Sequence, residues 1–178
     1  MGLAAGCVTA PAAVPTAGGT PAPSAPAARG AASSLPDFEL GSVDGDRVRL
    51  SDYLGRSVVV MSFWDTWCEP CKTELPHLDR MYRAHKDAGL VVLAISMDDP
   101  TSVALVAPYV RESGFAIPVL LDTSGQATNL YNVHKNAPYT VVIDRTGRIA
   151  RESAGFEPGS EKLLEEQLVK LLTVEKTP

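Results

Sequence analysis

The stretch that most constrains this chain is Ser57-Val58-Val59-Val60-Met61-Ser62-Phe63, apolar and β-branched almost throughout. A strand with one wet face alternates apolar and polar residues. A continuous apolar run instead marks a strand buried on both faces, inside a sheet that helices cover on either side. Leu90–Ser96 repeats the pattern, and Ala116–Asp122 predicts a third such strand. Between the first two, residues 71–89 read as a helix with Leu75, Leu78, Met81 and Tyr82 on one face, Pro76 as a kink and Gly89 at the C-cap. Asp99-Pro100 looks like an N-cap followed by proline, opening a helix to about Ser113, and a short helix is expected near 126–131. Hairpins are expected at Asp44-Gly45 and across Arg145-Thr146-Gly147. Ser160 should cap a last helix with Leu163, Leu164, Leu168, Leu171 and Leu172 as its stripe. The class is α/β, with a central mixed β-sheet flanked by helices and an N-terminal β-hairpin.

The chain has 178 residues, enough for one domain with a proper core. Its net charge of −5 argues against nucleic acid as a partner, because phosphate binding calls for a basic face. Residues 8–34 are almost entirely Ala, Pro, Gly, Ser and Thr, with Arg29 the one charge, and are expected to be a disordered linker. The folded domain is then 35–178. Ahead of the linker, Leu3-Ala4-Ala5-Gly6-Cys7 resembles a lipoprotein lipobox, departing from it at Ala4 and in lacking a charged start. Residues 1–7 thus read as a truncated or atypical lipoprotein signal, with Cys7 as the lipidation site. Myristoylation at Gly2 fits less well, since Gly6 stands where Ser or Thr is wanted.

Cys68 and Cys71 are spaced C-x-x-C, which serves a zinc site, a structural disulfide or a redox couple. Zinc needs about four ligands, and His77 and His85 lie further down the helix. A structural disulfide over this spacing closes too small a loop to stabilise much. The setting between a buried strand and a helix favours redox chemistry: the helix N-terminus stabilises a thiolate at Cys68, and Cys71 sits one turn in, more enclosed.

Phe63-Trp64 through Trp67-Cys68-Glu69-Pro70-Cys71, with Lys72, Glu74, Pro76 and the later Asn136-Ala137-Pro138-Tyr139-Thr140-Val141-Val142-Ile143-Asp144, resembles the thioredoxin superfamily. It is most similar to the membrane-tethered TlpA/ResA/CcmG group over about residues 35–174. The resemblance implies a thioredoxin-like fold with a helix–strand insertion between 97 and 122, and a cis-proline at Pro138 opposite the cysteines. It also implies that Glu74 handles the proton that a buried Asp carries in thioredoxin, where Ser62 stands here. Spacing supports this separately, since Glu74 is i+3 from Cys71. Tyr139 departs from the commoner Thr.

The expected activity is thiol–disulfide exchange: Cys68 attacks a substrate disulfide, and Cys71, helped by Glu74, resolves the intermediate. Trp67, Glu69, Pro70, Ala137 and Pro138 are expected to bind the substrate, whereas His134 is expected at the surface. The anionic Glu69 and Glu74 should oppose a Cys68 thiolate, which favours a reductase. No metal and no cofactor beyond the Cys68–Cys71 couple is expected. The expected partners are a protein disulfide, by resemblance that of apocytochrome c, and a membrane thiol donor of the DsbD/CcdA type. The protein should be a monomer, extracytoplasmic and anchored through Cys7. The rival readings are a disulfide oxidase or isomerase, a thiol peroxidase (for which Thr66 stands at the wrong offset) and a metal-binding module.

Overall fold

The structure, a computed structural model, describes residues 1, 2 and 35–173; Cys7, the 8–34 linker and the last five residues lie outside the described residues. The strands are β1 (Glu39–Ser42), β2 (Arg47–Arg49), β3 (Val58–Trp64), β4 (Leu90–Ser96), β5 (Val119–Leu121), β6 (Tyr139–Ile143) and β7 (Ile149–Ala154). The helices are α1 (Glu69–His85), α2 (Val106–Ser113), α3 (Gln126–Tyr131) and α4 (Ser160–Thr173). All the strands join one sheet in the order β2-β1-β5-β4-β3-β6-β7. β3, β4 and β5 run parallel, while the β1–β5, β1–β2, β3–β6 and β6–β7 pairs are antiparallel.

Every residue of β3 is buried, as its composition predicts. Val58, Val60 and Trp64 enter one core with Leu75, Leu78 and Met81 of α1, Val106 and Val110 of α2, and Leu164 and Leu168 of α4. Val59, Met61 and Phe63 enter the opposite core with Phe38, Leu50 and the α3 residues Ala127 and Tyr131. The period of two along the strand therefore feeds both layers.

Three expected boundaries shift, and one expected cap is not made. The helix expected from Asp99 to Ser113 begins as α2 only at Val106, after a 3₁₀ turn at Val103–Leu105. Pro108 then falls in the first turn, where its missing N–H costs nothing, and Asp99 instead caps a local turn through the N–H groups of Thr101 and Ser102. β5 is three residues long rather than seven. The N–H groups of Ala116 and Ile117 donate to Asp79 Oδ1 on α1, at 2.6 and 3.1 Å, and Pro118 has none to give. α1 ends at His85, and Gly89, with φ 93°, closes a following 3₁₀ turn instead. Ser160 opens α4, but its hydroxyl donates back to the Glu157 carbonyl rather than capping the helix. Leu163 lies off the stripe of Leu164, Leu168, Leu171 and Leu172 and is 59% exposed.

Candidate active site

The site forms where β3 hands over to α1. Met97 N–H donates to the Trp64 carbonyl at 2.8 Å, and Cys68 N–H donates to the Asp65 carbonyl at 3.1 Å, so the loop turns tightly into the helix. Cys68 is the N-cap of α1; its extended backbone lets Sγ accept the Cys71 N–H at 3.2 Å. Pro70 sits in the first turn, where no N–H is required. Cys68 and Cys71 are joined by a disulfide, with their Cα atoms 5.3 Å apart. Cys68 is 4% exposed and Cys71 fully buried, a smaller asymmetry than the sequence led one to expect.

Register brings the second strand to the site. Phe63 pairs with Tyr139 across β3–β6, so the cis Ala137–Pro138 bond lies at the end of β3 nearest the cysteines. The Pro138 carbonyl is taken by Gly155 N–H at 2.8 Å. The N–H and C=O of Ala137 have no partner among the described residues, so the groups open to an added strand belong to Ala137. Buried Asn132 clamps this loop: its amide donates to the Asn136 carbonyl at 2.8 Å and accepts the Asn136 N–H at 3.0 Å.

Glu74 is 6% exposed, one turn beyond Cys71. Its Oε2 accepts from Ser62 Oγ and its Oε1 from Thr140 Oγ1, each at 3.0 Å. Burial pushes its carboxyl above the usual Glu range, against the pull of those two hydroxyls. Glu74 also lines a cavity of about 330 Å³ together with His77, Arg151, Phe156, Glu161 and Leu164. Glu69 faces water and pairs with Lys72 at 2.9 Å. Its charge is thus largely answered, and it bears on the thiolate less than the sequence reading assumed. Trp67 is 71% exposed beside the disulfide, and His134 is exposed. The two histidines weighed as ligands are engaged elsewhere: His77 contacts Arg80 and packs at a tilt against Phe156, and His85 faces Glu165.

Sequence reasoning passed over the acids behind the loop. Asp98, buried, accepts from Thr66 N–H (2.9 Å), Thr66 Oγ1 (2.5 Å) and Ser96 Oγ (3.0 Å). Asp65 is also buried, and burial, with Asp98 and Asp99 nearby, pushes its carboxyl up to about 6. The available signal was an acid placed directly after a fully buried strand, at Trp64-Asp65.

A disulfide-forming pair at a helix N-terminus, a cis-proline beside it and a mixed sheet covered on both faces define a thiol–disulfide oxidoreductase of thioredoxin-like fold. The chain belongs to the AhpC/TSA family, which it matches over residues 31–152. It is 35% identical, over 69% of its length and 68% of the relative's, to the thiol-disulfide oxidoreductase ResA of Geobacillus kaustophilus. Among solved structures, a protein of Chlorobium tepidum assigned as thiol:disulfide interchange protein DsbE is 34% identical. The match covers 79% of this chain and 96% of that one, with a TM-score of 0.70. The exposed lipoprotein thioredoxin Etrx1 of Streptococcus pneumoniae is 32% identical, covering 76% of this chain and all of that one, at a TM-score of 0.64.

Proposed function

We propose that this oxidoreductase works as a reductase of protein disulfides outside the cytoplasm, held at a membrane by lipid on Cys7. The observation that carries the exchange step is the Cys68–Cys71 disulfide with a buried carboxyl one turn beyond Cys71. In the reduced protein, the Cys68 thiolate attacks a substrate disulfide, and one substrate sulfur leaves as a thiolate. Glu74 accepts the Cys71 proton; the cavity it lines gives the carboxyl a route to solvent. The Cys71 thiolate then attacks Cys68 Sγ, the second substrate sulfur leaves, and two electrons have passed to the substrate. Trp67, Glu69 and Pro70 supply the exposed contact surface, and Ala137 beside Pro138 offers backbone groups to an extended substrate segment.

Reloading requires a thiol donor, and an oxidising compartment has no thiol pool of its own, so the donor is a membrane protein of the DsbD/CcdA type. Resemblance to the TlpA/ResA/CcmG group makes the haem-site cysteines of apocytochrome c the substrate to test first. The exposed lipoprotein among the solved relatives supports the tether. The test is a Cys71→Ser variant in native cells. It should accumulate a mixed disulfide through Cys68 that mass spectrometry can identify, and loss of that species in Cys68→Ser would confirm the linkage. If nothing accumulates, the exchange reading fails. A Cys7→Ser variant should move the protein from the membrane to the soluble fraction.

A further inference from the structure

One buried acid at the active-site loop has no part in the exchange chemistry. Asp65 follows the last residue of β3 and is 6% exposed. Its carbonyl accepts the Cys68 N–H, so acid and nucleophile sit at the two ends of a single turn. No donor among the described residues reaches its carboxylate. Behind the turn, Asp98 accepts three hydrogen bonds on its two oxygens, from Thr66 N–H, Thr66 Oγ1 and Ser96 Oγ. Those donors include the N–H and the hydroxyl of Thr66, which pins the loop next to the largely buried Asp65. The charges facing Asp65 are Asp98 and Asp99 from the segment after β4. On α1, Glu69 and Lys72 answer each other in water. An ionised Asp65 thus has no side-chain donor of its own among the described residues, one backbone turn before the residue where the thiolate forms.

We propose that Asp65 is a positioning residue acting through Cys68: its ionised carboxylate, backed by Asp98, opposes the Cys68 thiolate and so biases the couple toward giving up electrons. This rests on the reductase reading and assigns part of its cause. Like charges about one turn apart at a poorly solvated site disfavour each other's ionised form. The Asp65 carboxyl, which ionises near pH 6, then grades the effect across neutral pH. Below that, a neutral Asp65 leaves the thiolate easier to form; above it, the reduced protein holds its thiol and the disulfide form gains relative stability.

The test is thiolate titration of reduced protein by absorbance at 240 nm, with alkylation rates from pH 4.5 to 8.5, on wild type, Asp65→Asn and Glu74→Gln. Asp65→Asn should raise the thiolate fraction at pH 7 about tenfold, and the inflection near pH 6 in the alkylation profile should vanish. Glu74→Gln should keep that inflection. A thiolate fraction in Asp65→Asn within twofold of wild type overturns the proposal. Should Asp65→Asn not fold, a Glu74→Gln profile lacking the inflection overturns it equally. The direction of the couple is read separately, by equilibrating wild type with glutathione. A wild type that stays reduced at an oxidising poise sinks the reductase reading, whatever Asp65 does to the thiolate.

Discussion

Ser62 and Thr140 stand opposite each other across the β3–β6 pair, and their hydroxyls donate to the two oxygens of a single carboxylate, Glu74. Neither is a local neighbour of the acid; the sheet register brings them together under α1. The pair holds the carboxyl one turn beyond Cys71, and with both oxygens fixed, the acid can take up or give back a proton without moving.

Glu74→Gln should therefore slow the resolving step, while the first attack by Cys68 changes little. General-base assistance is worth roughly 10²–10⁴-fold, so mixed disulfide with a model substrate should build up by at least the lower figure in stopped-flow quench experiments. Equal slowing of both steps would show that the carboxyl acts on the whole site and not on Cys71.

Burial raises the Glu74 and Asp65 carboxyls, which sets the sign of a stability profile. For each group, the folded state prefers the neutral form. The contribution is fully present below the ordinary carboxyl pKa and is lost as pH rises through the folded value. For Asp65 that window runs from its ordinary 3.8 to about 6. The oxidised protein should lose stability over it, and Asp65→Asn should recover on the order of 1 kcal/mol at pH 7 after allowance for screening. Glu74→Gln should likewise gain at pH 8 relative to pH 4. Urea midpoints across pH measure both, and a profile unchanged by both substitutions would contradict the burial argument.

What the sequence made legible follows from which forces were local. β3 and β4 could be read because an unbroken apolar run has one stable home, between two helical layers, and the 126–131 helix matched residue for residue. The start of β5 could not be read, because Asp79, nearly forty residues earlier, takes the N–H groups that would have extended it. In the site, the Cys71-to-Glu74 spacing was visible as helix geometry, but the Ser62–Thr140 cradle needed strand register. Glu69 looked like a charge aimed at the thiolate because spacing does not reveal that Lys72 answers it. Asp65 was overlooked for a related reason: its burial depends on the loop that Asp98 pins from β4's end.

The Asn132 clamp carries a prediction about substrates. Removing the amide in Asn132→Ala leaves the Asn136 N–H and C=O without their partners and loosens the loop that presents Ala137. The loss should be about 2 kcal/mol in stability. Reduction of a folded protein disulfide should show a raised KM, while reaction with a small disulfide that needs no backbone pairing stays near wild type. Equal loss on both substrates would place the effect at the cysteines.

Asp79 ties α1 to the segment entering β5, accepting from Ala116 and Ile117 N–H and pairing with Arg83 Nε at 2.6 Å. Asp79→Ala strands two backbone donors, that of buried Ile117 and that of exposed Ala116, so it should cost about 2 kcal/mol, read as a lower urea midpoint with an unchanged m-value. Asp79→Asn keeps one acceptor oxygen and should cost about half as much. Because α1 also carries Cys71 and Glu74, a loosened α1 would alter the thiol chemistry too. An alkylation rate for Cys68 that stays at the wild-type value in folded Asp79→Ala would show that this anchor fixes the far end of the helix without steering its catalytic start.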